Sequence, residues 1–210
     1  YWDAAVSYGK HADDFAGEQF CNHGTRVLAV QWMRDKEAAA DEFLWAHNGR
    51  TLAGQVSWFY EKAITGKEAY ASLSGACERV RTMLSPEGKV LLADSLLLHS
   101  EIYRHCYTGM VYFSEGFAAY RQGDAKRAFY SVGMAAESFR QADQAMQNRE
   151  HGLWVHFFGN ECLTDVKQTV WVLKGLMAWI RALDDGLPYY YWQRAFLSPE
   201  TDRMVMLLLN

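Results

Sequence analysis

The stretch Asp124-Ala-Lys-Arg-Ala-Phe-Tyr-Ser-Val-Gly-Met-Ala-Ala-Glu-Ser-Phe-Arg-Gln-Ala-Asp-Gln-Ala-Met-Gln-Asn-Arg-Glu150 decides the fold class. Ala125, Ala128, Phe129, Val132, Ala136, Phe139 and Met146 recur at helical spacing on one face, while Lys126, Arg127, Glu137, Arg140 and Gln144 lie elsewhere. This is an amphipathic helix with a single stripe to bury. Gly123-Asp124 before it supplies a breaker for one helix and an N-cap for the next, which predicts an antiparallel helical hairpin.

Working outward, Ser85-Pro86-Glu87 has an N-cap hydroxyl, a proline at the first helical position and an acid in the first turn. The helix it starts is predicted to run to Arg121, about 35 residues and roughly 50 Å at 1.5 Å each. Gly109 and Gly116 lie inside it and predict either a kink or a close helix contact. Upstream, Thr25 to His47 and Thr51 to Thr65 carry helical spacing, Gly66-Lys67 reads as a break, and a further helix follows to Leu84. Tyr1 to Phe20 is predicted helical, and Cys21-Asn22-His23-Gly24 reads as a turn. Downstream, Thr164-Asp165 caps a helix to Leu183 with Val166, Val170, Leu173, Met177 and Ile180 on its stripe and Trp171 and Trp179 widening it. Ser198-Pro199-Glu200 starts a last short helix. No strand-like alternation competes with these segments. The expected architecture is all-α, a bundle of about five or six helices joined by hairpins, forming one domain over 1–210 with a sub-division at 84/85.

Half of the 210 residues are apolar and 22% are charged, which supports a folded core. The net charge of −4, with scattered basic residues, excludes the electrostatic footprint of a nucleic-acid binder. No apolar run approaches the roughly 18 to 20 residues of a membrane span. The chain opens at Tyr1 and closes on Met204-Val-Met-Leu-Leu-Leu-Asn210, which reads as a piece of a longer polypeptide. Cys21, Cys77, Cys106 and Cys162 are widely spaced, and three of them sit in apolar helical patterns, as buried thiols do.

Weighing of chemical motifs leaves no catalytic residue, metal site or cofactor. A carboxylate-bridged di-iron bundle needs Glu and His three apart on two helices, and the nearest pairs, Glu101 with His105 and Glu18 with His23, have other spacings. His99, Glu101, His105 and Cys106 cluster in sequence, yet His105 and Cys106 point about 100° apart, so a zinc tetrahedron would require a second helix. A Gly-x-Ser-x-Gly elbow, a phosphate loop and a Cys-x-x-Cys pair are all missing. The segment Tyr120 to Phe129 has the look of a tetratricopeptide turn, but it occurs once and such arrays need about three copies.

Two polar-aromatic stretches stand outside the strongest helices: His151-Gly-Leu-Trp-Val-His-Phe-Phe-Gly-Asn-Glu161 and Tyr189-Tyr-Tyr-Trp-Gln-Arg194. Their rings suit either packing at an open bundle end or stacking on a ligand. If they bind, His156, Asn160, Glu161, Tyr190 and Trp192 are the candidate ligand contacts, lining one concavity.

The run Trp154-Val-His-Phe-Phe-Gly-Asn-Glu-Cys-Leu-Thr-Asp-Val-Lys-Gln-Thr169, with Trp179-Ile-Arg and Asp185-Gly-Leu-Pro-Tyr-Tyr-Tyr-Trp-Gln-Arg194, resembles the helical region after the catalytic barrel of large glycoside hydrolases, in particular glycoside hydrolase family 115. The likeness covers mainly residues 110–210. It implies an ancillary domain of a secreted enzyme that removes glucuronic acid from xylan, with the acid and base on a preceding barrel. The partners implied are other domains of the same polypeptide and an oligosaccharide or polysaccharide. None of the family's catalytic residues maps onto this chain, and of its aromatic-Pro-Pro segment only Leu187-Pro188 is present. The rival expectation, for a cytoplasmic setting, is a helical protein-interaction module that docks a partner helix or pairs as a homodimer.

Overall fold

The computed structural model describes residues 17–34, 51–159 and 166–184, and among them every regular element is helical. The helices are α1 Gly17–Met33, α2 Leu52–Arg81, α3 Pro86–Leu92, α4 Leu98–Arg121, α5 Ala125–Gln147 and α6 Val166–Asp184. A π-helical turn, Ala93–Leu97, joins α3 to α4, so the two form one rod from Pro86 to Arg121. None of the described helices is long and apolar enough to cross a membrane.

Local chemistry places the boundaries. Thr51, Ser85 and Asp124 each turn a side-chain oxygen onto the backbone N–H three residues further on, at 3.2, 3.2 and 2.9 Å. The α4–α5 hairpin closes as a Schellman turn: Gly123 N–H donates to Tyr120 O at 2.9 Å and Asp124 N–H to Ala119 O at 3.0 Å. Gly123 takes φ +80°, which costs a glycine little, and Asp124 serves both helices.

One apolar cluster draws on every described helix, with Leu28 and Trp32 from α1, Phe59 from α2, Leu92 from α3, Met110 and Phe113 from α4, Val132 and Phe139 from α5, and Leu173, Leu176 and Ile180 from α6. Aromatic rings mesh throughout it. Trp32 meets Phe113 and Phe117 edge-on at 5.7 and 5.2 Å, and Tyr70 stacks on Tyr103 at 4.7 Å. The predicted stripe of α5 is the face that packs: Ala128, Val132, Ala136, Phe139 and Met146 are all buried.

Three expectations are corrected. Gly66-Lys67 does not break a helix, because α2 runs unbroken for 30 residues. Gly66 is there for space: a Cβ on it would stand 2.5 Å from the Tyr107 ring. Cys21-Asn22-His23-Gly24 lies within α1, not in a turn, and its polar member is satisfied in the core, where Asn22 Oδ1 accepts from Thr169 Oγ1 at 3.2 Å and Asn22 Nδ2 reaches Cys106 Sγ at 3.8 Å. Of the two outcomes expected at Gly109 and Gly116, close packing is the one seen, against Phe139 and Val132, and the irregular turn falls at 93–97. Trp171 does not widen the buried stripe of α6, being 74% exposed, while Thr169 and Leu176 are buried instead.

Cys21, Cys77 and Cys106 are buried. The predicted helix over 1–16, the continuation of α1 beyond Arg34 to His47, Cys162 and the helix starting at Ser198 lie outside the described residues.

Candidate functional site

A cleft of about 810 Å³ opens where α3, the π turn, the end of α5 and the loop after it meet. Its apolar lining is Val90 and Leu91 of α3, Leu98 of α4, and Trp154, Phe157 and Phe158 of the loop; its polar lining is Glu87, Asp94, His99 and Arg149. Residues 90–98 hold seven apolar side chains, more than one helix face can bury, and the surplus stays outside. Leu91 is 65% exposed and Val90 about half. The π turn adds a residue to the rod and shifts the register of α4 relative to α3, which separates the exposed pair Val90 and Leu91 from the buried Leu97 and Leu98.

The loop opposite is held in place by polar ties. The Glu150 carboxylate accepts the backbone N–H of His156 at 3.2 Å and of Phe158 at 2.9 Å. His151 Nε2 lies 2.7 Å from Asp94 Oδ2, fastening the loop to the π turn. Lys167 Nζ donates to Gly159 O at 3.2 Å and reaches Asp143 at 3.7 Å. His156 itself sits at φ +64°, an unfavourable region for a residue with a Cβ, and Gly152 at φ +55°. With all these restraints, the loop still presents Leu153 fully exposed, Trp154 and Val155 half exposed and Phe157 60% exposed. Trp154 and Phe157 meet edge-on at 5.1 Å. An ordered backbone that displays apolar side chains to water has already met the ordering cost of binding.

Of the five residues anticipated as ligand contacts, His156 is exposed on this loop but does not line the cleft, and it contributes its backbone N–H to Glu150. Asn160, Glu161, Tyr190 and Trp192 lie outside the described residues. The neighbouring rings Trp154, Phe157 and Phe158 take the inward places, opposite Asp94 and His99, which no sequence motif marks.

The polar cluster on α4 disperses. His99 faces the cleft and its Nδ1 meets Ser95 O at 2.8 Å, Cys106 is buried against Asn22, and His105 faces a separate polar groove of about 310 Å³ with Glu101, Arg140, Gln141, Gln144 and Asn148. Among the described residues no group of three His, Cys, Asp or Glu side chains converges as a metal site would require.

Burial lowers the His105 pKa to about 4, and the Arg104 guanidinium, 3.1 Å from Nε2, adds to the shift against an opposing hydrogen bond between the ring and Gln141. Arg104 can only donate, so Nε2 is the unprotonated acceptor and the ring is neutral. The folded pKa lies below the unfolded value, so the unfolded chain binds the extra proton between about pH 6.5 and pH 4 and stability falls as pH drops through that window. Urea unfolding at pH 7 and pH 4.5 should show this loss to be smaller by about 2 kcal/mol in His105→Gln than in the parent, after discounting for partial exposure.

Acid–base chemistry finds little support in the cleft. The Glu87 carboxyl is held below the usual carboxylate range, first by its own backbone N–H and then by Ser85, whereas a proton donor near neutrality needs the opposite shift. Asp94 is engaged with His151.

Comparison of the chain with protein-family models, with curated proteins and with solved structures finds no match.

Proposed function

We propose that this chain is a non-catalytic helical interaction module that docks a protein surface in the cleft between α3 and the 151–159 loop. The observation that carries the reading is the cleft's lining of Val90, Leu91, Trp154 and Phe157, each at least half exposed, with Leu153 and Val155 exposed on the same loop. Apolar surface gathered in one place is the mark of an interaction site, and a tethered loop presents it without further ordering. Another domain of the same polypeptide satisfies this chemistry as well as a separate protein does.

The carbohydrate reading, an ancillary domain flanking a glycan site in a glycoside hydrolase, is supported by Trp154 and Phe157 standing near Asp94 and Arg149, since sugars stack on rings and hydrogen-bond to such groups. Against it, Val90, Leu91 and Leu98 offer a sugar's hydroxyls nothing to bond with, and each unpaired hydroxyl is costly to desolvate.

The test uses two probes. The apolar fluorophore anilinonaphthalene sulfonate should occupy one saturable site per chain, and Phe157→Asp should weaken it about tenfold while the helical circular dichroism is unchanged. Xylo-oligosaccharides should leave the tryptophan emission as it was. Saturable quenching by the sugar, removed by Trp154→Ala, would transfer the conclusion to the carbohydrate reading.

A further inference from the structure

The loop over 151–159 bonds chiefly to itself. The N–H groups of Trp154, Phe157 and Gly159 donate to the carbonyls of His151, Trp154 and His156 at 2.9, 3.0 and 3.1 Å, and those of His156 and Phe158 donate to the Glu150 carboxylate. These amides are all satisfied within 150–159, so breaking an anchor to the helices leaves them paired. A segment closed on itself in this way keeps its shape when it moves.

Its anchors are few. Eight of the nine residues are exposed, and Phe158 alone is half-buried against the core. Few buried apolar contacts and exposed hydrogen bonds mark the parts of a fold that open at least cost. Among the described residues, two side-chain ties hold the loop to the helices: Lys167 Nζ to Gly159 O at 3.2 Å, on α6, and His151 Nε2 to Asp94 Oδ2 at 2.7 Å, on the π turn. Both are exposed, and exposed pairs contribute little.

We propose that 150–159 is a strap that opens as one rigid body about the end of α5, and that the His151–Asp94 pair is its latch. Closed, the strap sets Trp154, Phe157 and Phe158 opposite Val90 and Leu91; open, it takes one wall of the cleft away with it. The cleft is a property of the closed state. The latch thereby governs whether the surface exists, whatever occupies it. Asp94 stands in the π turn, a departure from helix geometry of the kind found at functional sites.

Amide hydrogen exchange followed residue by residue by NMR on the 210-residue chain tests the proposal. The amides of Trp154, His156, Phe157, Phe158 and Gly159 should share one opening, with protection equal to within about twofold and below that of the α5 interior. Asp94→Ala removes no acceptor of these amides, yet it should speed all of them by about threefold, the effect of losing one exposed pair. His151→Ala should do the same from the loop side, and the double variant should match either single, since both break one contact. Circular dichroism and unchanged exchange in α4 and α5 verify that each variant folds. Unrelated rates among the loop amides, protection as high as in the α5 interior, amides that ignore both latch variants, or a double variant whose effects multiply would overturn the proposal.

Discussion

Phe139→Ala is expected to lower the free energy of unfolding by about 4 kcal/mol. The ring is wholly buried on α5 and lies against the backbone of α4 at Gly109, where a Cβ would approach it to 2.6 Å. Removing it leaves a cavity that two helices locked by a Schellman turn cannot easily close, so transfer and cavity terms add. The same geometry gives Gly109→Ala a sign that depends on its partner. In the parent chain the methyl collides with the ring, costing about 2 kcal/mol after the gain in helix propensity is subtracted. In the Phe139→Ala background the methyl enters the vacated space, and the substitution should stabilise by about 1 kcal/mol. A double-mutant cycle by urea unfolding would read a coupling of about 3 kcal/mol. Additive effects, each within about 0.5 kcal/mol of its value alone, would show that the two positions do not share one contact.

Gly109 also shows what could be read from the residues and what could not. Periodicity and caps place α5, the α4–α5 hairpin, the start at Pro86 and the body of α6, because those signals are local: a side chain accepting a nearby N–H, or a stripe repeating every turn. A glycine in a helix carries two local meanings, an end or a close approach, and only the tertiary neighbour selects between them. By local rules both Gly66 and Gly123 end helices. Gly123 does so, at φ +80°, whereas Gly66 admits the Tyr107 ring. Nothing within three residues of Gly66 announces a tyrosine 41 positions away. Asn22 misleads for a similar reason. A turn-forming residue by propensity, it is buried in α1 because Thr169 of α6 and Cys106 of α4 answer it there.

The site was legible to the level of its loop. An aromatic, polar stretch between α5 and α6 suits either packing at a bundle end or stacking on a ligand, and which of its residues face inward depends on Glu150 accepting two N–H groups and on His156 adopting a left-handed conformation. Neither is a spacing. The opposite wall was foreshadowed only by an excess: the apolar run over 90–98 exceeds what one helix face can bury, and such a surplus implies a second apolar contact without saying where. The π turn decides where, and π turns have no reliable local signature.

Trp32→Ala is expected to cost about 4 kcal/mol, whereas Trp32→Phe should stay within about 1 kcal/mol of the parent. Trp32 packs α1 onto α4: besides Phe113 and Phe117 it meets Tyr120 at 5.3 Å, and Tyr120 in turn meets Trp179 of α6 at 5.6 Å. Alanine removes all three ring contacts and leaves a large void between α1 and α4. Phenylalanine keeps most of them. It also removes an indole N–H that is buried and, among the described residues, has no acceptor within hydrogen-bond reach. Leaving that group unpaired costs roughly 1–3 kcal/mol, so its loss offsets much of the smaller ring's missing contact area. Thermal and urea unfolding of the two variants would separate packing from polarity at this position. A Trp32→Phe chain as unstable as Trp32→Ala would mean that the six-membered ring alone does not hold α1, and that the indole's full breadth, not its aromatic edge contacts, is what seats the helix.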